Sequence, residues 1–542
     1  MKKLISVVLT ALIAIAAFGG CSSKSTGGSG TSSTSGSDTT SKVVTEANKE
    51  PGIVKIFGID PALETAPADM EVFNKLENNL NVKFEWELVP NGDYEQIIST
   101  KIAAGGIDAD IFKSASVTPE LLGASGTIVK LSDYFDTLLP NVKYALANDV
   151  YLESSLTSPD GSIWCLPKYY GTGFTEYPMI RQDWLDKLNC KTPETLDDLY
   201  TYFKLVKKTD LNGNGKNDEI PWCPGTFHYS YLYTCQWYGL NPVAIWYWMG
   251  LNEKGEVYSY LTSDNFKQCM MFLNKCFAEG LINNDIPNMG QDQFNACMLN
   301  DQVGFITSLG SWYLSNWDTK IKEAVPGSGA KYVFISPPDA GYKTTGVRIG
   351  GISNTYHYIS SKGKNTEDAL RVFDYVFGEE GGILTWAGIE GETYTVKSDG
   401  SLTLGPKLSG MNTTDAATYL NEMGALNGSF NLPINISANT YYFNTLLAEG
   451  GDRHVETIKA LMSDKKISQQ AEVNFRFTDE ETEVLTEYLN TMRTFAREEL
   501  AKFYYGTRSF DTWDDFANTL ESQYKLSKLV DIYATAYARS AR

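Results

Sequence analysis

The chain has 542 residues, which at about 150 per domain is enough for several large cores. A composition of 42% hydrophobic and 21% charged residues is globular and excludes wholesale disorder or a multi-span membrane protein. Lys and Arg total 46 against 66 Asp and Glu, and the net charge of -20 is the opposite of a nucleic-acid binder's footprint, so no nucleic-acid partner is expected.

Lys2 and Lys3 precede an apolar run from Leu4 to Phe18, and Gly19 and Gly20 stand directly before Cys21. This is the three-part layout of a signal peptide over residues 1–20, with an apolar run shorter than a membrane span needs. Small residues immediately before a cysteine resemble a lipobox, which implies a diacylglycerol on Cys21; Phe18 stands where Leu is usual. Of the 20 residues from Ser22 to Ser41, 18 are Ser, Thr or Gly, a composition that cannot bury apolar area. Residues 21–50 are therefore expected to be a lipidated cysteine and a flexible tether of roughly 25 to 30 Å reach, holding the protein at the extracellular face of a bacterial cell membrane.

Seven further cysteines (Cys165, Cys190, Cys223, Cys235, Cys269, Cys276 and Cys297) cannot all pair, and the three histidines are scattered. Buried free thiols are expected, and no zinc site.

Ordered sequence is predicted to start near Pro51, with strands at Ile53 to Ile59, Val82 to Val89 and Ala109 to Phe112. Between them lie helical patterns with Met70, Phe73, Leu76 and Leu80, then Tyr94, Ile97, Ile98 and Ile102, on their apolar faces. Alternating strands and helices imply a parallel sheet covered by helices. Thr195 and Asp198 form a capping-box-like start, Thr366 opens another helix, residues 480–542 are largely helical, and Thr512 to Asp515 repeats the capping signal. There is no fixed-period repeat. The class is α/β with extra C-terminal helices, and the length favours two lobes over one large sheet.

No G-x-S-x-G, Walker A, H-E-x-x-H or G-x-G-x-x-G motif occurs. A pair of carboxylates suited to glycoside hydrolysis is compatible with 66 acidic residues, so a secreted glycoside hydrolase or polysaccharide lyase stays open as an alternative. The sharpest local signal is Asp210 to Glu219. Asp210, Asn212, Asn214 and Asp218 supply side-chain oxygens at loop positions 1, 3, 5 and 9, Gly215 stands at 6, and Lys216 offers its carbonyl at 7. That is a calcium-loop order, with Pro221 where the bidentate Glu of position 12 is usual and Glu219 as its substitute. A structural calcium is expected; a metal-free Asn-Gly turn is the alternative.

Ten aromatic residues lie between Trp222 and Trp248, some of them core. Sugars offer flat C–H faces to aromatic rings, so an aromatic-rich surface protein points to carbohydrate. Trp312 and Trp386 sit in glycine-containing stretches that read as loops, where contact with ligand is expected.

The segments Met179 to Asn189 and Thr192 to Leu199, the Asp210 to Glu219 loop with Ile220-Pro221, the Trp386 to Tyr394 stretch and the tail Phe510 to Arg539 together resemble the lipoprotein-type extracellular solute-binding proteins, family 1, of ABC sugar importers. The calcium loop is similar to that of alginate-oligosaccharide-binding members. The resemblance implies a two-lobed, type II periplasmic-binding-protein-like fold with hinge crossings near Tyr169 to Tyr177, Thr345 to Tyr358 and 400 to 415. The N-terminal lobe would hold residues 51–170 and 350–410, and the C-terminal lobe 171–349 and 411–542. It implies a monomer, not an enzyme, that captures an oligosaccharide between the lobes and passes it to an ABC permease, with Trp164, Tyr170, Arg181, Trp246, Trp312 and Trp386 as ligand contacts. A peptide-binding lipoprotein of similar construction is the other alternative.

Overall fold

The computed structural model describes residues 50–540 apart from 159, 171–176, 308–309, 350, 427–430, 448–450, 464–467, 472–474 and 476. The expected signal peptide, Cys21 and nearly all of the tether lie outside the described residues.

Strands β1 (Gly52–Ile59) and β2 (Val82–Val89) pair in parallel along their whole length. The helix Glu71–Leu80 between them buries Val72, Phe73, Leu76 and Leu80 on one stripe, and Asn81 ends it in the left-handed conformation at φ 51°. The apolar spacing thus produces the expected βαβ unit. Strand β3 (Ile111–Ser114) pairs with the other side of β1. It begins two residues later than the sequence predicts because the Asp110 carboxylate accepts the backbone N–H groups of Lys55 and Asn365 at 2.8 Å, holding the approach to the strand in a bend.

Strand β4 (Leu166–Tyr170) and the strands Gly351–Ile359 and Ile434–Ile436 complete a six-stranded sheet. Gly351–Ile359 runs antiparallel between β3 and β4, while the other five strands run one way. Ile59, Val89, Ser114, Tyr170 and Ile436 therefore end on one edge, the edge where open α/β sheets bind ligands. A second, four-stranded sheet holds β5 (Met179–Arg181), β6 (Ile220–Trp222), Val303–Ile306 and Tyr332–Phe334. Each sheet has its own covering helices, which makes the fold two-lobed.

The chain leaves the first sheet after Tyr170 and returns to it at Gly351. The third crossing is not near 400 to 415. Ile434–Ile436 pairs with β4, so the first sheet takes in a strand beyond residue 410. The hairpin Tyr394–Val396 with Leu402–Leu404 folds back on itself, and the helix Thr413–Glu422 leads on towards that strand.

The helix Asp479–Tyr504 opens with a capping box between Thr478 and Glu481 and carries Tyr504 against Phe227, ring centroids 5.1 Å apart. The box at Thr195 and Asp198 also forms. Thr512 does not cap its helix: its hydroxyl accepts from Arg508 Nε at 2.8 Å and donates to the Ser509 carbonyl. Among the described residues no helix is long and apolar enough to cross a membrane. The seven described cysteines are free, five of them buried.

Candidate functional site

Alternation along β4 puts Leu166, Lys168 and Tyr170 on one face of the first sheet. Tyr170, at the strand's end, meets Trp386 edge-on with ring centroids 6.0 Å apart. The Lys168 ammonium lies 5.2 Å from the Trp386 centroid and 5.7 Å from that of Tyr170. Only 8% of Lys168 is exposed, and burial lowers its pKa to about 8. Lys113, opposite His357 in the same sheet, is pushed down to about 7, first by burial and then by the charge of Lys168. Two buried lysines and two aromatic rings thus stand near the C-terminal end of β3 and β4.

Trp386 is not in a loop, as its glycine-rich surroundings suggest, but in the helix Glu379–Ala387, and is 2% exposed. The glycines serve close packing. A Cβ on Gly382 would lie 2.3 Å from the Asn435 carbonyl, so the helix can press directly against the strand Ile434–Ile436. Gly388, at φ 85°, ends the helix after Ala387.

Trp312 also belongs to a helix, Gly310–Ala324, rather than a loop; its side chain lies outside the described residues. Trp164 is half-buried and lies over Gly123, where a Cβ would come within 2.6 Å of the indole. It precedes the start of β4, roughly 20 Å of extended chain from Tyr170, and does not join that cluster.

Arg181 is fully buried and engaged inside the C-terminal lobe, so the structure places it in the core rather than on a ligand surface. Its Nε and Nη2 donate to the two Asp183 oxygens at 2.7 Å, its Nη1 pairs with Asp301, and the guanidinium lies 4.4 Å from the Trp184 ring centroid. Burial opposes the charge, but Asp183 and Asp301 outweigh it and raise the pKa.

Of the ten aromatics between Trp222 and Trp248, seven are buried, and Trp222 stacks on Phe203 and Trp237 in the core. Trp246 differs, being 43% exposed. It stands on the rim of a cavity of about 740 Å³, with Tyr229 at 6.4 Å between centroids and Arg497 at 5.7 Å from its ring. The first turn of the helix Phe227–Thr234, which follows the end of β6, and the helix Asp479–Tyr504 form its walls. Lys113, Lys168 and Arg497 escaped sequence reasoning. The usable signal was a lysine inside the apolar strand run Leu166 to Tyr170.

The loop Asp210 to Glu219 has the turn geometry its order predicts. Both Asp210 oxygens are held by backbone N–H groups, from Gly213 and Asn214 on one and Gly215 on the other, and Gly213 and Gly215 take φ near 80°. Asn212 and Asn214 turn their amides to Asp218, and the Lys216 N–H donates to Asn214 Oδ1. Glu219 is 7% exposed; one oxygen accepts from the N–H groups of Leu211 and Asn212, and the other is buried with no donor. A buried carboxylate oxygen without a proton donor suits a hard cation, and the residues fit calcium. Among the described residues no group of three or more His, Cys, Asp or Glu side chains is already gathered as a metal cluster.

The family model of bacterial extracellular solute-binding proteins matches residues 60–383. The fructooligosaccharide ABC transporter substrate-binding protein FusA of Streptococcus pneumoniae is 26% identical over 390 residues, 68% of this chain and 67% of FusA. An extracellular solute-binding protein of Bifidobacterium longum subsp. infantis has the same fold, with 20% identity, a TM-score of 0.67 and coverage of 91% of this chain and 99% of that one. The alginate-binding protein AlgQ2, solved without calcium ion, gives 21% identity and a TM-score of 0.65 over 91% of this chain and 99% of its own. The chain belongs to the bacterial extracellular solute-binding protein family.

Proposed function

We propose that the protein is the substrate-binding component of an ABC importer and captures an oligosaccharide between its two lobes. The observation that carries this reading is the family match across residues 60–383, and its similarity to FusA supports an oligosaccharide as the solute. The ring-lined ends of both sheets supply what such a ligand requires, flat apolar faces beside fixed polar groups. Tyr170, Trp246 and Trp386 are the ring contacts we assign, and Trp164 and Trp312 stay candidates for further ones. Arg181 acts by holding the C-terminal lobe together.

Cys21 carries the lipid anchor, the Ser/Thr/Gly segment spaces the body from the membrane, and the body works as a monomer with membrane permease subunits. The loop of Asp210, Asn212, Asn214, Lys216, Asp218 and Glu219 holds one structural calcium, a role supported by AlgQ2 having been solved without calcium and by the existence of an EF-hand mutant of FusA. No catalysis is part of this reading.

A thermal-shift screen against an oligosaccharide library tests it. A ligand that binds only the folded state at 100 times its Kd adds about 2.7 kcal/mol of stability. Sugars are expected to raise the melting temperature and a peptide library is not; the reverse pattern overturns the reading. Cys21→Ser should leave a precursor without acyl chains in mass spectrometry.

A further inference from the structure

Beneath Trp246 the cavity wall carries the Arg497 guanidinium. Arg493 and Arg497 stand one helical turn apart, their guanidinium carbons 5.6 Å from the Tyr247 centroid and 5.7 Å from the Trp246 centroid. Like charges at that spacing repel. Arg497 Nε is buried without an acceptor. The Glu499 carboxylate on the same helix is committed to Lys502 and Arg508, and Glu498 is exposed on the cavity rim. Among the described residues neither Arg493 nor Arg497 joins an ion pair.

The other titratable groups facing the cavity are the phenols of Tyr229 and Tyr505, His228, and the exposed Glu498 on its rim. The His228 ring is half-buried, its Nε2 has no partner, and burial together with both arginines pushes its pKa down to about 4, so it is a neutral group with one nitrogen to offer. In a chain of net charge -20, a concave site whose guanidinium is held by the buried Tyr231 phenol but by no carboxylate, beside an exposed indole, is a local inversion of the surface. A guanidinium fork matches a carboxylate with two parallel hydrogen bonds, and the indole face matches a sugar ring's C–H face.

We propose that this cavity is a subsite for a carboxylate-bearing sugar, a uronate residue of the captured oligosaccharide, with Arg497 receiving the carboxylate and Trp246 with Tyr229 receiving the ring. The proposal rests on the oligosaccharide-capture reading. Arg493 supports it through its field, and His228 offers a hydrogen bond to a ring hydroxyl.

The test is calorimetry of the full mature protein with a panel of tetrasaccharides of galacturonate, mannuronate and guluronate, each beside its carboxyl-reduced neutral counterpart. At least one acid is expected to bind ten or more times tighter than its counterpart. Arg497→Gln should shrink that ratio below threefold, and Arg497→Lys should retain part of it. If Arg497→Gln does not fold, the wild-type ratio decides: it should fall at least threefold between 0.05 and 0.5 M salt, and a ratio indifferent to salt overturns the proposal. A preference that survives in a folded Arg497→Gln, or wild-type binding of neutral members as tight as of acids, overturns the subsite and leaves sugar capture standing. Binding of neither class overturns the subsite, and the thermal-shift screen of the wider library then decides sugar capture.

Discussion

The Trp386 ring stands at 76° to that of Tyr170, centroids 6.0 Å apart, with the Lys168 ammonium close to both. Residues over 200 positions apart thus meet at the end of β4, because Gly382 lets one helix press on the sheet. A cation kept there costs stability, and a protein that retains it has a use for its charge.

Lys168→Met should make that cost visible. Burial holds the lysine's pKa at about 8 in the folded protein, below its ordinary value of 10.5. Below pH 8 both states hold the proton and the full penalty applies; between pH 8 and 10.5 the unfolded chain binds more protons, so stability rises with pH. The variant should be more stable than the parent near pH 7 by up to about 3 kcal/mol, with the gap closing towards pH 10.5. Urea denaturation at pH 7, 9 and 10.5 checks this; a gap that does not narrow contradicts it.

The two tryptophans should separate by burial. Trp386→Ala removes a side chain 2% exposed and should lose about 3 to 5 kcal/mol of folding stability along with affinity. Trp246, 43% exposed, should lose about 1 to 3 kcal/mol of binding, roughly 5- to 150-fold in affinity, with little change in unliganded melting temperature. Melting curves and calorimetry on both variants decide it.

Arg181→Met strands Asp183 and Asp301 without their cation and should destabilise the C-terminal lobe by about 3 to 5 kcal/mol. Sugar affinity of the folded fraction should stay within twofold; a large loss of affinity at unchanged stability would return Arg181 to the ligand site.

The alternating strands and helices of the first βαβ unit were legible because apolar periods of two and 3.6 write themselves into local sequence. The sheet membership of Ile434–Ile436 was not, since three residues carry no period and their partner β4 lies over 260 positions away. Glycine misled at Trp386, where it signals contact between backbones rather than a loop. Arg181 was ambiguous because its partner Asp301 is 120 residues distant. The calcium-type loop was the easiest feature to read, because its ligands are contiguous.

Chelator should lower the melting temperature if that loop holds calcium, and Asp210→Ala should abolish the chelator's effect while preserving the fold. Glu219→Gln should weaken the metal as well, because it exchanges the buried donorless oxygen for an amide. Elemental analysis that finds no calcium in a chelator-insensitive wild type would return the loop to a metal-free turn.

The central claim, capture without chemistry, is tested most directly by titrating the purified protein with the best sugar from the library while following the sugar by chromatography. The account predicts saturable one-to-one binding, a shift in tryptophan fluorescence and recovery of the sugar intact. Cleavage of the sugar with turnover, or no saturable binding to any oligosaccharide, would contradict it.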